Sequence, residues 1–178
     1  MLLLFLCLQV NNACSQMGGV KISAADLKNK TFEAKVIRIL DGDTMEVLYE
    51  NSNPIKIRLA HIDCPEKRAS QPFGNQAKKA LSDLCFGQLV TVQSDKCDRY
   101  GRLVAVIVNT SRQIVNQEMV KQGMAWHFKR YSTDSLYARL ELEARQHKIG
   151  LWVGIDPVAP WKWRKPKHPF NNSSNCQR

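Results

Sequence analysis

Acidic residues are scarce in this chain of 178 residues: 16 aspartates and glutamates stand against 26 lysines and arginines, a formal net charge of +10. An excess this large points to a polyanionic partner, nucleic acid or an anionic surface. Long apolar runs are also missing. The one almost wholly apolar stretch, Met1–Val10, is too short to span a bilayer. Cysteines are present, but no two have the two-residue spacing of a zinc site or a redox motif. There is no P-loop, no Gly-x-Ser-x-Gly elbow and no internal repeat, which excludes P-loop phosphate binding, the hydrolase elbow and a solenoid. What is there is a chain 44% hydrophobic and 24% charged, too apolar for disorder and long enough for one domain with a core.

The apolar start is followed by Asn11-Asn12-Ala13-Cys14-Ser15, and the first charge is Lys21. A short apolar run followed by small residues resembles a secretory signal, although basic residues before the run are absent. Ala13-Cys14 resembles a lipoprotein cleavage site, with Asn11 where an aliphatic residue is expected. Residues 1–14 are therefore read as a leader on an exported chain, with Cys14 a candidate lipid anchor. The competing reading of the run is a buried strand. Residues 15–30 form a polar lead-in. For Cys64, Cys85, Cys97 and Cys176, one or two disulfides and buried free thiols are equal alternatives.

Alternating apolar residues predict strands over Thr31–Leu40, Thr44–Tyr49, Ile55–Ala60 and Leu89–Gln93, and Leu103–Val108, apolar on both faces, reads as a central strand. Helical spacing predicts helices over Asn75–Cys85, from Asn116 as cap to Gln122, and from Asp134 or Ser135 to Ile149. Asp63–Gly74 and Ser94–Gly101 read as loops. The order is β-β-β-α-β-β-α-α, an α+β chain. Five short strands favour a small barrel that closes its own edges, of the OB-fold type. The segment 153–178 is a basic tail rich in Pro and Trp, with disorder expected from Lys167 onward. Trp161 and Trp163 are read as covering core, with base stacking as the alternative.

Chemistry concentrates around the strand Ile55–Ala60. Alternation puts Ile55, Ile57 and Leu59 on one face and Lys56 and Arg58 on the other. Asp63 and Glu66 follow, Asp41-Gly42-Asp43-Thr44 precedes, and Tyr100-Gly101-Arg102 comes later. Carboxylates hold hard cations through oxygen, and arginines grip phosphate with a planar fork. Both together on a basic protein suggest metal-assisted cleavage of a phosphodiester. Each piece alone has a plainer reading, as a hairpin turn, a capped loop or a surface turn. His61 stands two before Asp63, but with no second histidine nearby it reads as packed or surface rather than as a metal ligand.

Taken together, three segments closely resemble the staphylococcal nuclease-like (thermonuclease) family: Ile39–Thr44, Ile57–Glu66 and Asp98–Arg102. Val115-Asn116, Val120–Ala125 and Gly150-Leu151-Trp152 are similar to it as well, so the resemblance covers 31–152, the nuclease-like OB-fold domain. It implies Ca²⁺ held by Asp43, Asp63 and the backbone carbonyl of Cys64, where other members carry threonine. It implies Glu66 as the general-base candidate, Arg58 and Arg102 as the phosphate-gripping pair, and Asp41 as a carboxylate supporting the metal ligands. Arg99 and Tyr100 match positions that hold a terminal phosphate. Tyr131 matches one aromatic flanking the base, but its usual partner position is Lys129 here, and Phe128 and Trp126 are candidate substitutes. The implied protein is a monomeric, Ca²⁺-dependent nuclease acting on DNA and RNA with little base specificity. The rival is a non-catalytic nucleic-acid-binding module on the same barrel, disfavoured because the three carboxylates and two arginines are all retained.

Overall fold

The computed structural model describes residues 22–50, 52–67 and 70–164. The leader, Cys14, Cys176 and the stretch from Lys167 onward lie outside the described residues. Five strands close a barrel in the order β1 (Thr31–Asp41), β2 (Thr44–Tyr49), β3 (Asn53–Leu59), β6 (Leu103–Val108) and β5 (Leu89–Cys97). All pairs are antiparallel except β3 with β6, which is parallel and sets Arg58 opposite Val104. Two register shifts in β1, one after Val36 and one after Ile39, bend that long strand so that it reaches both β2 and β5. The shift also changes the phase of burial: Ala34 and Val36 are buried, Ile37 is exposed, and Ile39 is buried again.

The barrel interior is filled by Met45, Val47, Ile55, Ile57, Leu59, Val90, Val92, Leu103, Ala105 and Ile107. These are the inward members of alternating strands, as the sequence predicts. One end is covered by α1 (Gly74–Cys85), α2 (Val115–Lys121) and α3 (Ser135–Gln146), whose Ala77, Leu81, Met119, Val120, Tyr137 and Leu140 extend the same core. Asp134 caps α3 by accepting from the Leu136 N–H at 2.8 Å.

Several expectations need correction. The predicted loop Asp63–Gly74 begins inside a two-residue strand: β4 (Ile62–Asp63) pairs with β7 (Trp126–His127), a pairing too short to leave a periodic signal. The strand at Leu89 runs on to Cys97, past a bulge between Ser94 and Lys96 that interrupts alternation. Asn116 is no cap. It is wholly buried, accepts from the Ile107 N–H at 3.0 Å, and donates to the carbonyls of Ala60 at 3.0 Å and Ala105 at 3.1 Å. It thereby gives the Ile107 N–H and the Ala60 carbonyl a partner where the short parallel ladder of β3 and β6 ends, and adds a second donor to the Ala105 carbonyl, which also accepts from the Ala60 N–H at 2.8 Å. The last long helix stops at Gln146, three residues early, with Lys148 and Gly150 turned to positive φ. In the lead-in, a 3-10 turn at Ala24–Leu27 buries Leu27 against the barrel. A fourth short helix, α4 (Pro160–Trp163), adds to the predicted three. Cys64 and Cys85 are buried thiols and Cys97 is partly exposed; all three are free, so these three make no disulfide with one another.

The described part of 153–178 folds back. Trp161 stacks on Phe128, with centroids 5.4 Å apart and planes at 12°, and meets Trp126 edge-on at 5.6 Å. Trp126, Leu151, Trp152, Ala144 and Ala159 form a second small core there. Trp161 thus covers core, as the sequence reading favours.

Candidate active site

The turn between β1 and β2 presents Asp43, and the strand β4 presents Asp63. Two close approaches hold these segments together. A Cβ at Gly42 would lie 2.8 Å from the Cβ atoms of both Ala77 and Cys64, so only glycine lets the turn press between α1 and the Cys64 side chain. At the start of α1, a Cβ on Gly74 would lie 2.9 Å from the Glu66 carbonyl.

Arg58 stands on the outer face of β3, as alternation predicts, yet its side chain is only 12% exposed because carboxylates cover it. Its Nη2 lies 3.1 Å from Asp43 Oδ2 and 2.9 Å from Asp63 Oδ1, so one guanidinium nitrogen bridges the two aspartates. Its Nη1 donates to the Leu59 carbonyl at 2.8 Å. Asp43 also accepts from Thr44 Oγ1 at 2.9 Å and from the Cys64 N–H at 3.1 Å. Asp63 has no exposed surface at all. Burial pushes its carboxyl up to about 6, a rise that Asp43 adds to and the Arg164 and Arg58 guanidiniums oppose. Asp41 is also raised, first by burial; the Gly42 N–H bond works against this, and the neighbouring Asp43 and Glu66 charges add to it.

Arg102 is held from the opposite side. Its Nη1 lies 3.3 Å from Thr44 Oγ1, which links it through that hydroxyl to Asp43. Asp98 anchors it, accepting from Nε at 2.7 Å and from the Arg102 N–H at 3.0 Å. Burial alone would raise the Asp98 carboxyl, but the Arg102 and Tyr100 N–H groups and the Arg102 guanidinium hold it below the usual range. Arg99 and Tyr100 are exposed beside it, with Arg99 Nη2 donating to the Tyr100 hydroxyl at 2.6 Å. Tyr131 is exposed and meets Phe128 edge-on at 4.9 Å. Lys129 is turned toward Glu141, at 3.6 Å. His61 packs on Tyr137 at 4.9 Å, with Nδ1 2.9 Å from Ser132 Oγ, so it is a packed residue.

The fold therefore brings Asp43, Asp63, Cys64, Arg58, Glu66 and Arg102 to one end of the barrel, with Asp41 adjoining. Arg99 and Tyr100 lie exposed beside Arg102, while Tyr131 is exposed against Phe128, on which Trp161 stacks. Arg164 is a member that sequence reasoning missed. It donates from Nη2 to Asp63 Oδ2 at 2.6 Å and makes an ion pair with Glu66. The only local signal was an arginine directly after the Trp-Lys-Trp of a tail. Thr44, Asp98 and Gln71 were also missed in role. Gln71 accepts from the Glu66 N–H at 3.0 Å and donates to the Val158 carbonyl at 2.7 Å, tying the Glu66 loop to the returning segment.

Among the described residues no three His, Cys, Asp or Glu side chains group so as to hold a metal by themselves. The candidate set offers two carboxylates and a backbone carbonyl. These are hard oxygen donors, two of them carrying negative charge, so the donor set fits a hard cation that takes its remaining ligands from water.

Residues 56–154 match the family described as staphylococcal nuclease homologue. The chain belongs to the staphylococcal nuclease family. An endonuclease of Haemophilus influenzae is 43% identical over 144 residues, covering 81% of this chain and 78% of that protein. A micrococcal nuclease of Shigella flexneri is 42% identical over 151 residues, covering 79% of this chain and 85% of its own. A staphylococcal-like nuclease of Arabidopsis thaliana is 37% identical over 147 residues, covering 83% of this chain but 44% of the plant protein. The closed five-stranded barrel with its helices fits this family. The family match stops at residue 154, ten residues short of Arg164.

Proposed function

We propose that this protein is a Ca²⁺-dependent nuclease that hydrolyses phosphodiester bonds of DNA and RNA with little base specificity. The observation that carries the reading is the bridge of Arg58 between Asp43 and Asp63, with Glu66 joined to Asp63 through Arg164. Paired carboxylates and forked cations at one end of a basic barrel suit phosphate chemistry and have no simple use in binding alone.

Asp43, Asp63 and the Cys64 carbonyl would hold the cation. Bound there, a divalent ion would supply Lewis-acid polarisation of the phosphate. Arg58 and Arg102 donate in a planar fork to phosphate oxygens and stabilise charge as it builds during attack. Glu66 orients the attacking water and takes its proton. Arg99 and Tyr100 receive a terminal phosphate, and Tyr131 lies against a base. These groups read backbone and charge, not base edges, which supports loose specificity. Export belongs to the same proposal and rests on the apolar start of the sequence; cell fractionation with the leader intact or deleted tests it. No described helix is long and apolar enough to cross a membrane.

The test is cleavage of labelled single-stranded DNA by residues 15–178, with Ca²⁺ and then with chelator, beside Glu66→Gln. Ca²⁺-dependent cutting that the variant loses supports the assignment. Tight binding without cutting in any divalent metal would make the chain a nucleic-acid-binding module.

A further inference from the structure

Arg164 lies beyond the family match yet occupies its chemistry. Both oxygens of Asp63 are engaged: Oδ1 by Arg58 at 2.9 Å and Arg164 at 3.3 Å, Oδ2 by Arg164 at 2.6 Å. The same guanidinium also pairs with Glu66. One side chain thus neutralises a candidate metal ligand and the candidate base together.

We propose that Arg164 is an internal competitor for the metal: its guanidinium lies across Asp63 and Glu66 and must leave before a hard cation binds, so it sets the metal concentration at which the site fills. The proposal rests on the metal-dependent reading given above. A divalent ion bound to Asp63 would lie within a few ångströms of a guanidinium fixed on the same oxygen. Like charges at that distance repel strongly in a partly buried site. Of the two arginines on Asp63, Arg164 is the one built to yield. Its side chain is 42% exposed against 12% for Arg58, and Arg58 is fixed on a barrel strand while Arg164 follows a four-residue helix. An arginine stays charged at every working pH, so the competition cannot be relieved by deprotonation. The segment has its own attachments, with Trp161 stacked on Phe128 and Val158 bonded by Gln71. The guanidinium can therefore swing away without the helix leaving.

The test is calorimetric titration of the full chain with Ca²⁺ alone, without nucleic acid, at mildly alkaline pH. Wild type, Arg164→Ala, Arg164→Gln, Lys162→Ala and Asp43→Ala are compared, with thermal melts confirming that each is folded. Losing a charge-assisted hydrogen bond that competes with the ion should tighten Ca²⁺ binding roughly tenfold in both Arg164 variants. Lys162 is exposed two residues away, so its loss removes the same charge without the contact and should change affinity less than about threefold. Unchanged or weaker binding in both Arg164 variants overturns the proposal while leaving the metal reading intact. An equal shift from Lys162→Ala overturns it in favour of a long-range field. If wild type and the Arg164 variants are folded and none takes up Ca²⁺, the metal reading falls and this inference with it.

Discussion

The carboxylate of Asp98 has no step in the proposed reaction, yet it fixes Arg102, the arginine proposed to grip phosphate. It accepts from two backbone N–H groups and from the Arg102 guanidinium. Because its folded-state value is depressed, its contribution to stability is full above the unfolded value near 3.8 and is lost as pH falls through the folded value. Asp98→Ala loses these charge-assisted bonds and should cost about 1 kcal/mol at neutral pH after solvent screening, and urea unfolding at several pH values should show the difference narrowing in acid. Arg102 itself carries a sharper expectation. Arg102→Lys keeps the charge but loses the fork that a phosphate's oxygens match. The turnover rate at saturating Ca²⁺ should fall on the order of 10²-fold, while near-normal turnover would remove Arg102 from the phosphate grip.

At the scale of elements, the parallel pair β3–β6 is the joint that sets Arg58 in place, and Asn116 stitches it. Asn116→Ala strands the buried Ile107 N–H and removes the side-chain donor to the part-buried Ala60 carbonyl, while the Ala105 carbonyl keeps its bond from the Ala60 N–H, a loss of about 2 kcal/mol. Equilibrium urea unfolding checks this, and a midpoint equal to wild type would mean that water replaces the amide. The barrel strands were legible because four of them alternate apolar residues over much of their length and β6 is a short run apolar at every position, and α1 and α3 because of their apolar stripes. Asp43, Asp63, Arg58 and Arg102 were legible as a set because motif order around the strands brings them together. Other features left no trace. β4 and β7 are two residues each, below any period. Asn116 at a helix start looks like a cap, since a buried amide bonded to a distant strand has the same local sequence. Arg164 reaches Asp63 across 101 positions, and only the folding back of Trp161 onto Phe128 brings it there.

For the whole molecule, the +10 charge is expected to collect polyanions. Cleavage below saturation should fall steeply as salt rises, because each phosphate contact releases counterions that salt then opposes. A flat profile from low to high salt would assign the charge to some other partner. The order in which the chain is made carries a separate consequence. Translation takes place beside RNA, and a growing chain holds Asp43, Arg58, Asp63 and Glu66 long before β6 exists. Because Arg58 sits on the strand that only β6 completes, those groups cannot be locked into register until Leu103–Val108 has been synthesised. At roughly 5–20 residues per second that interval lasts about 2–8 s, during which the ribosome carries the parts of a nuclease but not its barrel.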